Sequence, residues 1–374
     1  MKKNWPVMLF LFITCSCHSD AGKNSTPRES RVYADKVVNK YYSLHDGFTS
    51  PNDAWGNYTL DLTFEAMLTY GETSDKKAFV DSVMKIMNLR NISASDTVSY
   101  HSQPFGCLTY ALFSATGDSS YLPGFLHETD KMMEHSEFSE EGGVLHSYKG
   151  KMGLLIDYVQ EYASRIAKAG AVSGNEMYFE KAVRQFEIYD SLVRHPATGL
   201  YSQGRGFLKD PDKLSPHSWS RGQGWILRGM VSTMTYLHEE STYMKRMQKI
   251  LTPFVDSLIL RQGPTGLWHQ LVDLPFEDSY PETSGTGFIA YYLALAIAHD
   301  LIPKEPYQHI VDKAIAGIKN QISADGSIQG GCPGPGPILS IEKYYKTPGI
   351  ANEPHIFATT LYALAAEKLM HKTD

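Results

Sequence analysis

Only four cysteines occur in 374 residues, so no disulfide framework organises this chain. The histidines are scattered, and no Cys/His cluster has zinc-ligand spacing, so neither a metal nor another cofactor is expected. Lys and Arg form no basic stripe, and the formal net charge is −6, so nucleic acid is not an expected partner. Long apolar runs are also missing. The one that opens the chain, Val7 to Ile13, is too short to span a bilayer. Strand-like alternation is scarce from about residue 31 onward.

What is present begins with a targeting signal. Lys2 and Lys3 form a charged region, Val7 to Ile13 an apolar one, and Thr14-Cys15-Ser16-Cys17 ends it. A small residue before a cysteine resembles a bacterial lipobox, so residues 1–17 are expected to be a lipoprotein signal peptide. Cys17 is the lipidation candidate, ahead of Cys15. Residues 18–30, "HSDAGKNSTPRES", then read as a polar tether. The tether has no acidic run, which favours the periplasmic side of the cell envelope for the anchored protein. Besides the anchor, Cys107 and Cys332 remain, and a bridge between them is left open.

Residues 31–374 read as one all-α domain. In "WGNYTLDLTFEAMLTYGETSDKKAFVDSVMKIM", Leu60, Phe64, Met67 and Leu68 share a stripe. The pattern breaks at "GETSD" and resumes with Phe79, Val83 and Ile86. Similar breaks recur at 115–121, 172–178, 239–243 and 302–307, with glycine-rich connectors at 199–206, 263–270 and 324–331. About six helical hairpins describe either an (α/α)6 barrel, a six-hairpin toroid, or an open α-solenoid. The toroid is favoured because the long loops carry Trp, Arg and His rather than plain turn residues.

Aromatic residues make up 12% of the chain, and Tyr- and Trp-bearing clefts suit sugars. Asp157 lies in "MGLLIDYVQEYASRIAKAG", read as one helix that includes Leu154 and Leu155. Beside Leu155 and Ile156 its carboxyl is desolvated unless it sits at a helix mouth, and a raised pKa makes a proton donor near neutral pH. His146 lies eleven residues earlier in a loop leading to the same helix. In "HSWSRGQGWILRG", Arg221 offers a planar fork suited to a carboxylate. Trp219 and Trp225 offer flat faces for a sugar ring, and Gly222 and Gly224 would let the backbone approach a ligand.

These residues carry a resemblance. "SWSRGQGW" resembles the "WARGNGW" signature of glycoside hydrolase family 105, the unsaturated rhamnogalacturonyl hydrolases, related to the family 88 unsaturated glucuronyl hydrolases. "GLLIDYVQEY" looks like the aspartate helix of the family, and "GLWHQLVDLPFEDSYPETSGTGFIAYYLALAI" is similar to its C-terminal half. The likeness runs from about residue 55 to 365.

The resemblance implies an (α/α)6 barrel acting on oligosaccharides that end in a 4,5-unsaturated uronic acid. Asp157 then matches the general acid/base, and His146 the histidine before it. Arg221 and Trp225 match residues that hold the uronate, with Trp219 beside them. The sequence departs from the pattern in four ways: His101 and Gln103 stand where a second aspartate is expected, Leu155 replaces a Trp, Gln203 replaces a His, and Gln223 replaces an Asn. His101, Gln103 and Gln203 are therefore expected to line the site with changed chemistry. Two other functions stay open here. One is a glycosidase for saturated substrates, with Glu282 or Asp61 as second carboxylate; the other is a non-catalytic sugar-binding lipoprotein. The expected partners are an oligosaccharide and, through the lipid anchor only, a membrane; no oligomeric state is implied.

Overall fold

The computed structural model describes residues 27–45, 58–74, 77–89, 108–337 and 340–371. Cys17, His101, Gln103 and Cys107 lie outside the described residues. Among the described residues the backbone forms thirteen α-helices and three short strands. An outer set comprises α1 (Pro27–Leu44), α3 (Lys77–Leu89), α5 (Leu122–His135), α7 (Glu176–Leu192), α9 (Thr242–Ile259) and α11 (Tyr307–Lys319). It alternates along the chain with an inner set: α2 (Tyr58–Thr73), α4 (Leu108–Thr116), α6 (Ile156–Ser173), α8 (Ser220–Met234), α10 (Thr283–Ala298) and α13 (Pro354–Met370). A short α12 (Ile341–Tyr345) precedes the last helix.

Sequence decides which set a helix joins. In α9 the buried positions are Met244, Met247, Ile250, Leu251, Phe254, Val255 and Leu258, a single stripe at helical spacing. In α10, by contrast, every residue from Thr283 to Ala294 is buried. A helix that is apolar all round must be surrounded, and α10 packs against α8, α11 and α13. The inner helices run as neighbours: α4 on α2, α2 on α13, α13 on α10, α10 on α8, α8 on α6. The outer helices back them, α1 on α13, α3 on α2 and α7 on α6. Lys168 of α6 lies over the Tyr110 ring of α4, 5.4 Å from its centre, which joins the two ends of this series into the six-hairpin toroid rather than the open solenoid. Between α2 and α8, Arg228 Nη2 donates to both Glu65 oxygens at 3.0 Å, so this buried charge is compensated.

Turn chemistry punctuates the hairpins. Gly174, at φ +70°, ends α6, and the Asn175 side chain accepts from Met177 N at 3.1 Å to start α7. Ser241 caps α9 in the same way.

Two boundaries differ from the sequence expectation. Helix α1 begins at Pro27, inside the stretch read as tether; proline is tolerated in a first turn, where its missing N–H has no helical partner. Leu154 and Leu155 belong to a strand, and the helix starts only at Ile156. The strands β1 (His146–Tyr148), β2 (Lys151–Leu155) and β3 (Gly204–Arg205) form an antiparallel sheet in the order β1-β2-β3. His146 pairs with Gly153 and Leu155 with Gly204, so β2 delivers the chain straight into α6.

Candidate active site

A cavity of about 210 Å³ opens where inner helices begin. Tyr58 from the start of α2, Asp157 from α6, Arg221 and Trp225 from α8 and His355 from α13 all line it. Trp219, His146, Tyr148, Leu155 and Gln203 complete the wall with a loop holding Gly334, Gly336 and Pro337. Helix N-termini carry partial positive charge, so this mouth favours an anionic group. A larger cavity, about 410 Å³, lies at the opposite ends of the inner helices, with Glu72, Ser114, Thr235 and His299. It contains none of the residues singled out from sequence, and its Glu65 is held by Arg228.

Asp157 occupies the first turn of α6, one residue after a strand, so the sheet fixes where its carboxyl points. Backbone contacts pin that junction. Ile156 N donates to Gln203 O at 3.2 Å, and Leu155 N donates to Tyr189 Oη at 3.2 Å. Asp157 Oδ1 is buried without a hydrogen-bond partner. Burial pushes the Asp157 pKa up to about 7, outweighing the Arg221 charge and a backbone hydrogen bond that act downward. A carboxyl that is protonated near neutral pH and has an unengaged oxygen is suited to donate a proton.

His146 sits on β1 rather than in a loop, its ring 5.1 Å from that of Tyr158. Burial lowers its pKa, which keeps it neutral. The Gln203 Oε1 accepts from Tyr344 Oη at 2.7 Å. Gln223 donates from Nε2 to Tyr201 O at 2.7 Å and accepts from Tyr201 N at 3.0 Å, tying α8 to the segment that carries Gln203.

Arg221 is only 1% exposed. Its Nη1 donates to Ser284 Oγ at 2.8 Å, to Cys332 O, and to Glu353 Oε2 at 3.5 Å. Its Cζ lies 4.7 Å from the centre of the Trp219 ring, and its Nε has no partner. The guanidinium is therefore pinned at one nitrogen and backed by an indole, with donor capacity left over.

The indoles differ from the sequence expectation of open faces. Trp219 and Trp225 are each 2% exposed, and Trp225 packs on Phe288 with ring centres 4.4 Å apart. They form a wall with little open face. Gly222 and Gly224 also serve another purpose than ligand approach. A Cβ on Gly222 would stand 2.7 Å from Ile156 Cδ1, and one on Gly224 would stand 2.7 Å from Phe288 Cβ. Both glycines let α8 approach its neighbouring helices, which leaves the ligand to the side chains.

The two candidate second carboxylates stand apart from this cavity. Glu282 is fully buried as the cap of α10. It accepts from Ser284 N and Oγ, Gly285 N and Cys332 N, so its acceptor capacity is spent. Asp61 is buried beside Glu65, and burial, with the Glu65 charge, pushes its pKa up to about 7. Neither lines the cavity; among the described residues Asp157 is the carboxylate that does. Cys332 is a free, buried thiol.

Tyr58, Tyr148, Glu353 and His355 were not picked out from sequence. Glu353 precedes Pro354 and caps α13, accepting from His355 N at 3.0 Å; an acid before a proline that opens an apolar run was the available signal. The alternating Gly-Pro of "GCPGPGP" marked an irregular loop. In that loop Gly336 has φ +69°, and a Cβ there would stand 2.2 Å from Tyr148 Oη. Gly336→Ala therefore forces Tyr148 or the loop to move. It should cost roughly 1–2 kcal/mol of substrate binding, about a five- to thirty-fold rise in KM. Steady-state kinetics checks this, and an unchanged KM would show that the loop gives way freely.

Comparison with known proteins follows the same lines. The sequence profile described as Glycosyl Hydrolase Family 88 matches residues 30–370. The chain is 26% identical to the unsaturated rhamnogalacturonyl hydrolase YesR of Bacillus subtilis over 244 residues, 63% of this chain and 67% of that one. It is 24% identical to an unsaturated 3S-rhamnoglycuronyl hydrolase of an Alteromonas species over 43% of this chain, a match spanning 40% of that relative's length. In fold it is similar to a family 105 glycoside hydrolase of C. acetobutylicum, with a TM-score of 0.77 and 22% identity, covering 90% of this chain and 98% of the other. With the profile spanning nearly every described residue, the chain belongs to glycosyl hydrolase family 88.

Proposed function

We propose that the enzyme removes a 4,5-unsaturated uronic acid from the non-reducing end of lyase-generated oligosaccharides by hydrating its double bond. The observation that carries this reading is Asp157: a single carboxyl on the cavity wall, held protonated to about pH 7 by burial. Vinyl-ether hydration needs one proton donor. The paired carboxylates of ordinary glycoside hydrolysis have different work to do. Asp157 gives its proton to C4, and the ring oxygen stabilises the cation at C5. Water adds there, and the resulting hemiketal opens and releases the remaining chain. Arg221 holds the uronate carboxylate with the nitrogens that Glu353, Ser284 and Cys332 leave unengaged. The cavity is smaller than the roughly 300–1,000 Å³ of typical ligand sites, which fits capture of one terminal sugar. Incubation with lyase-generated oligosaccharides should abolish the ultraviolet absorbance of the unsaturated uronate. Persistent absorbance with intact substrate would contradict the reading and favour a sugar-binding protein without turnover.

We also propose that Cys17 carries a lipid that holds the enzyme on the periplasmic face of the envelope, where oligosaccharides made by lyases arrive. The small residue before the cysteine and the short apolar run support this. Cys17→Ser should move the protein from the membrane to the soluble fraction. Retention of the variant in washed membranes would contradict the anchor.

A further inference from the structure

The toroid has a second opening that the proposed reaction leaves unused. The cavity of about 410 Å³ at the far end is nearly twice the size of the one around Asp157, and it falls within the roughly 300–1,000 Å³ of typical ligand sites. All six inner helices contribute to it. An end that needed only closure could be filled with aliphatic side chains, as the stripe of α9 is. Here Ala111 and Leu295 are the aliphatic residues, and five tyrosines line the rest with hydroxyl and charged groups.

The tyrosines fall into two groups. Tyr291, Tyr292 and Tyr362 are buried and make the floor; the Tyr291 ring centre lies 4.9 Å from each of the other two. Tyr110 and Tyr236 are half-buried and meet edge to face, with ring centres 5.9 Å apart and planes at 87°. This pair keeps ring area on the cavity wall. The hydroxyls beside them are biased toward accepting. Thr73 donates to Thr69 O at 2.9 Å, Thr235 to Ser232 O at 2.9 Å, and Ser114 to Glu72 Oε1 at 3.1 Å. Their hydrogens are spent, and their lone pairs face a ligand that brings hydroxyl donors. Aromatic faces beside such acceptors suit a pyranose, whose C–H face packs on a ring while its hydroxyls donate outward.

Charge separates this site from the mouth at Asp157. The inner helices end here, and helix C-termini carry partial negative charge. Glu72 stands on the wall, and a neighbouring cavity of about 220 Å³, which shares Thr235 and His299 with this one, carries Glu239 and Asp300. The interior cations are engaged, Arg228 with Glu65 and Lys168 over the Tyr110 ring. A uronate would face acids and helix C-termini, whereas an uncharged sugar faces rings and hydroxyls.

We propose that the far cavity is a second carbohydrate site, which binds an uncharged pyranose and takes no part in the chemistry at Asp157. The neighbouring cavity, joined to it at Thr235 and His299, takes the next sugar of a neutral chain. The enzyme thereby holds neutral stretches of a saccharide at one end of the toroid while the other end works on terminal uronates.

Saturation-transfer nuclear magnetic resonance tests this with glucose, galactose and rhamnose as probes and glucuronate as the acidic control. At least one neutral sugar should bind with a Kd of about 1 mM, the weak range of a single-sugar site. Tyr236→Ala removes a ring face, and Thr235→Trp fills the space. Each should weaken that binding about tenfold or more while leaving kcat on lyase-generated oligosaccharides within about twofold. Retained turnover also shows that the variants fold; Ser114→Trp, at the exposed end of α4, serves if either folds poorly. Arg221→Lys, at the other mouth, should leave neutral-sugar binding unaltered. The second site is overturned if none of the three sugars binds up to about 100 mM, if the cavity variants bind as tightly as wild type, or if Arg221→Lys removes the binding. Glucuronate bound more tightly than the neutral sugars, in a manner lost in Tyr236→Ala and kept in Arg221→Lys, would overturn the choice of an uncharged ligand.

Discussion

Asp157→Asn is expected to lower kcat by about 10²–10⁴-fold while leaving the fold and substrate affinity largely intact. The amide keeps the shape of the carboxyl at the first turn of α6 but has no acidic proton to give. Single-turnover kinetics with a binding measurement checks this, and near-wild-type turnover would contradict it. The same variant carries a stability signature with a definite sign. The Asp157 pKa is raised from an ordinary 3.8 to about 7 in the fold, so between those values the folded protein holds a proton that the unfolded chain has released. This contribution to stability is therefore fully present below pH 3.8, shrinks as pH rises, and is gone above about 7. Asp157→Asn should raise Tm relative to wild type at pH 8 and narrow that gain toward pH 4. A gain that widens toward acid would mean that the carboxyl is not desolvated as described.

Arg221→Met is expected to destabilise the protein by about 3–5 kcal/mol, because it leaves the Glu353 carboxylate buried beside no cation. It also removes the donors to Ser284 Oγ and to the Cys332 carbonyl. Denaturant unfolding measures the loss. Arg221→Lys is the discriminating companion: it keeps a charge near Glu353 and should recover most of the stability. An ammonium cannot reproduce a planar fork already committed at one nitrogen, so binding of acidic oligosaccharides should stay weak. If lysine restored binding as fully as it restored stability, Arg221 would be structural support and another group would hold the uronate.

The helical toroid was legible because its inner helices have no polar face to expose. Stretches such as "TSGTGFIAYYLALAIA" cannot form an outer layer, and their alternation with striped helices such as α9 sets the two rings. Asp157, His146, Gln203, Trp219, Arg221 and Trp225, all named from sequence, line a single cavity. Their surroundings were less legible. Nothing local announces that Leu155 ends a strand, and that junction is what puts Asp157 at a helix mouth. Composition suggests open indole platforms because it carries no information on which face Phe288 covers. Tyr58 and His355 carry no local signal because they are 297 residues apart and ordinary in their own stretches; only closure of the ring brings the phenol against the imidazole.

The most direct test of hydration is the fate of C4. The reaction is run in deuterium oxide with a lyase-generated oligosaccharide, and the released uronate is examined by nuclear magnetic resonance and mass spectrometry. Proton delivery from Asp157 to the double bond predicts deuterium at C4 together with loss of the unsaturation. A product released with its double bond intact and no deuterium at C4 would mean that the glycosidic bond is cleaved directly, and the account centred on Asp157 as the donor to C4 would be wrong.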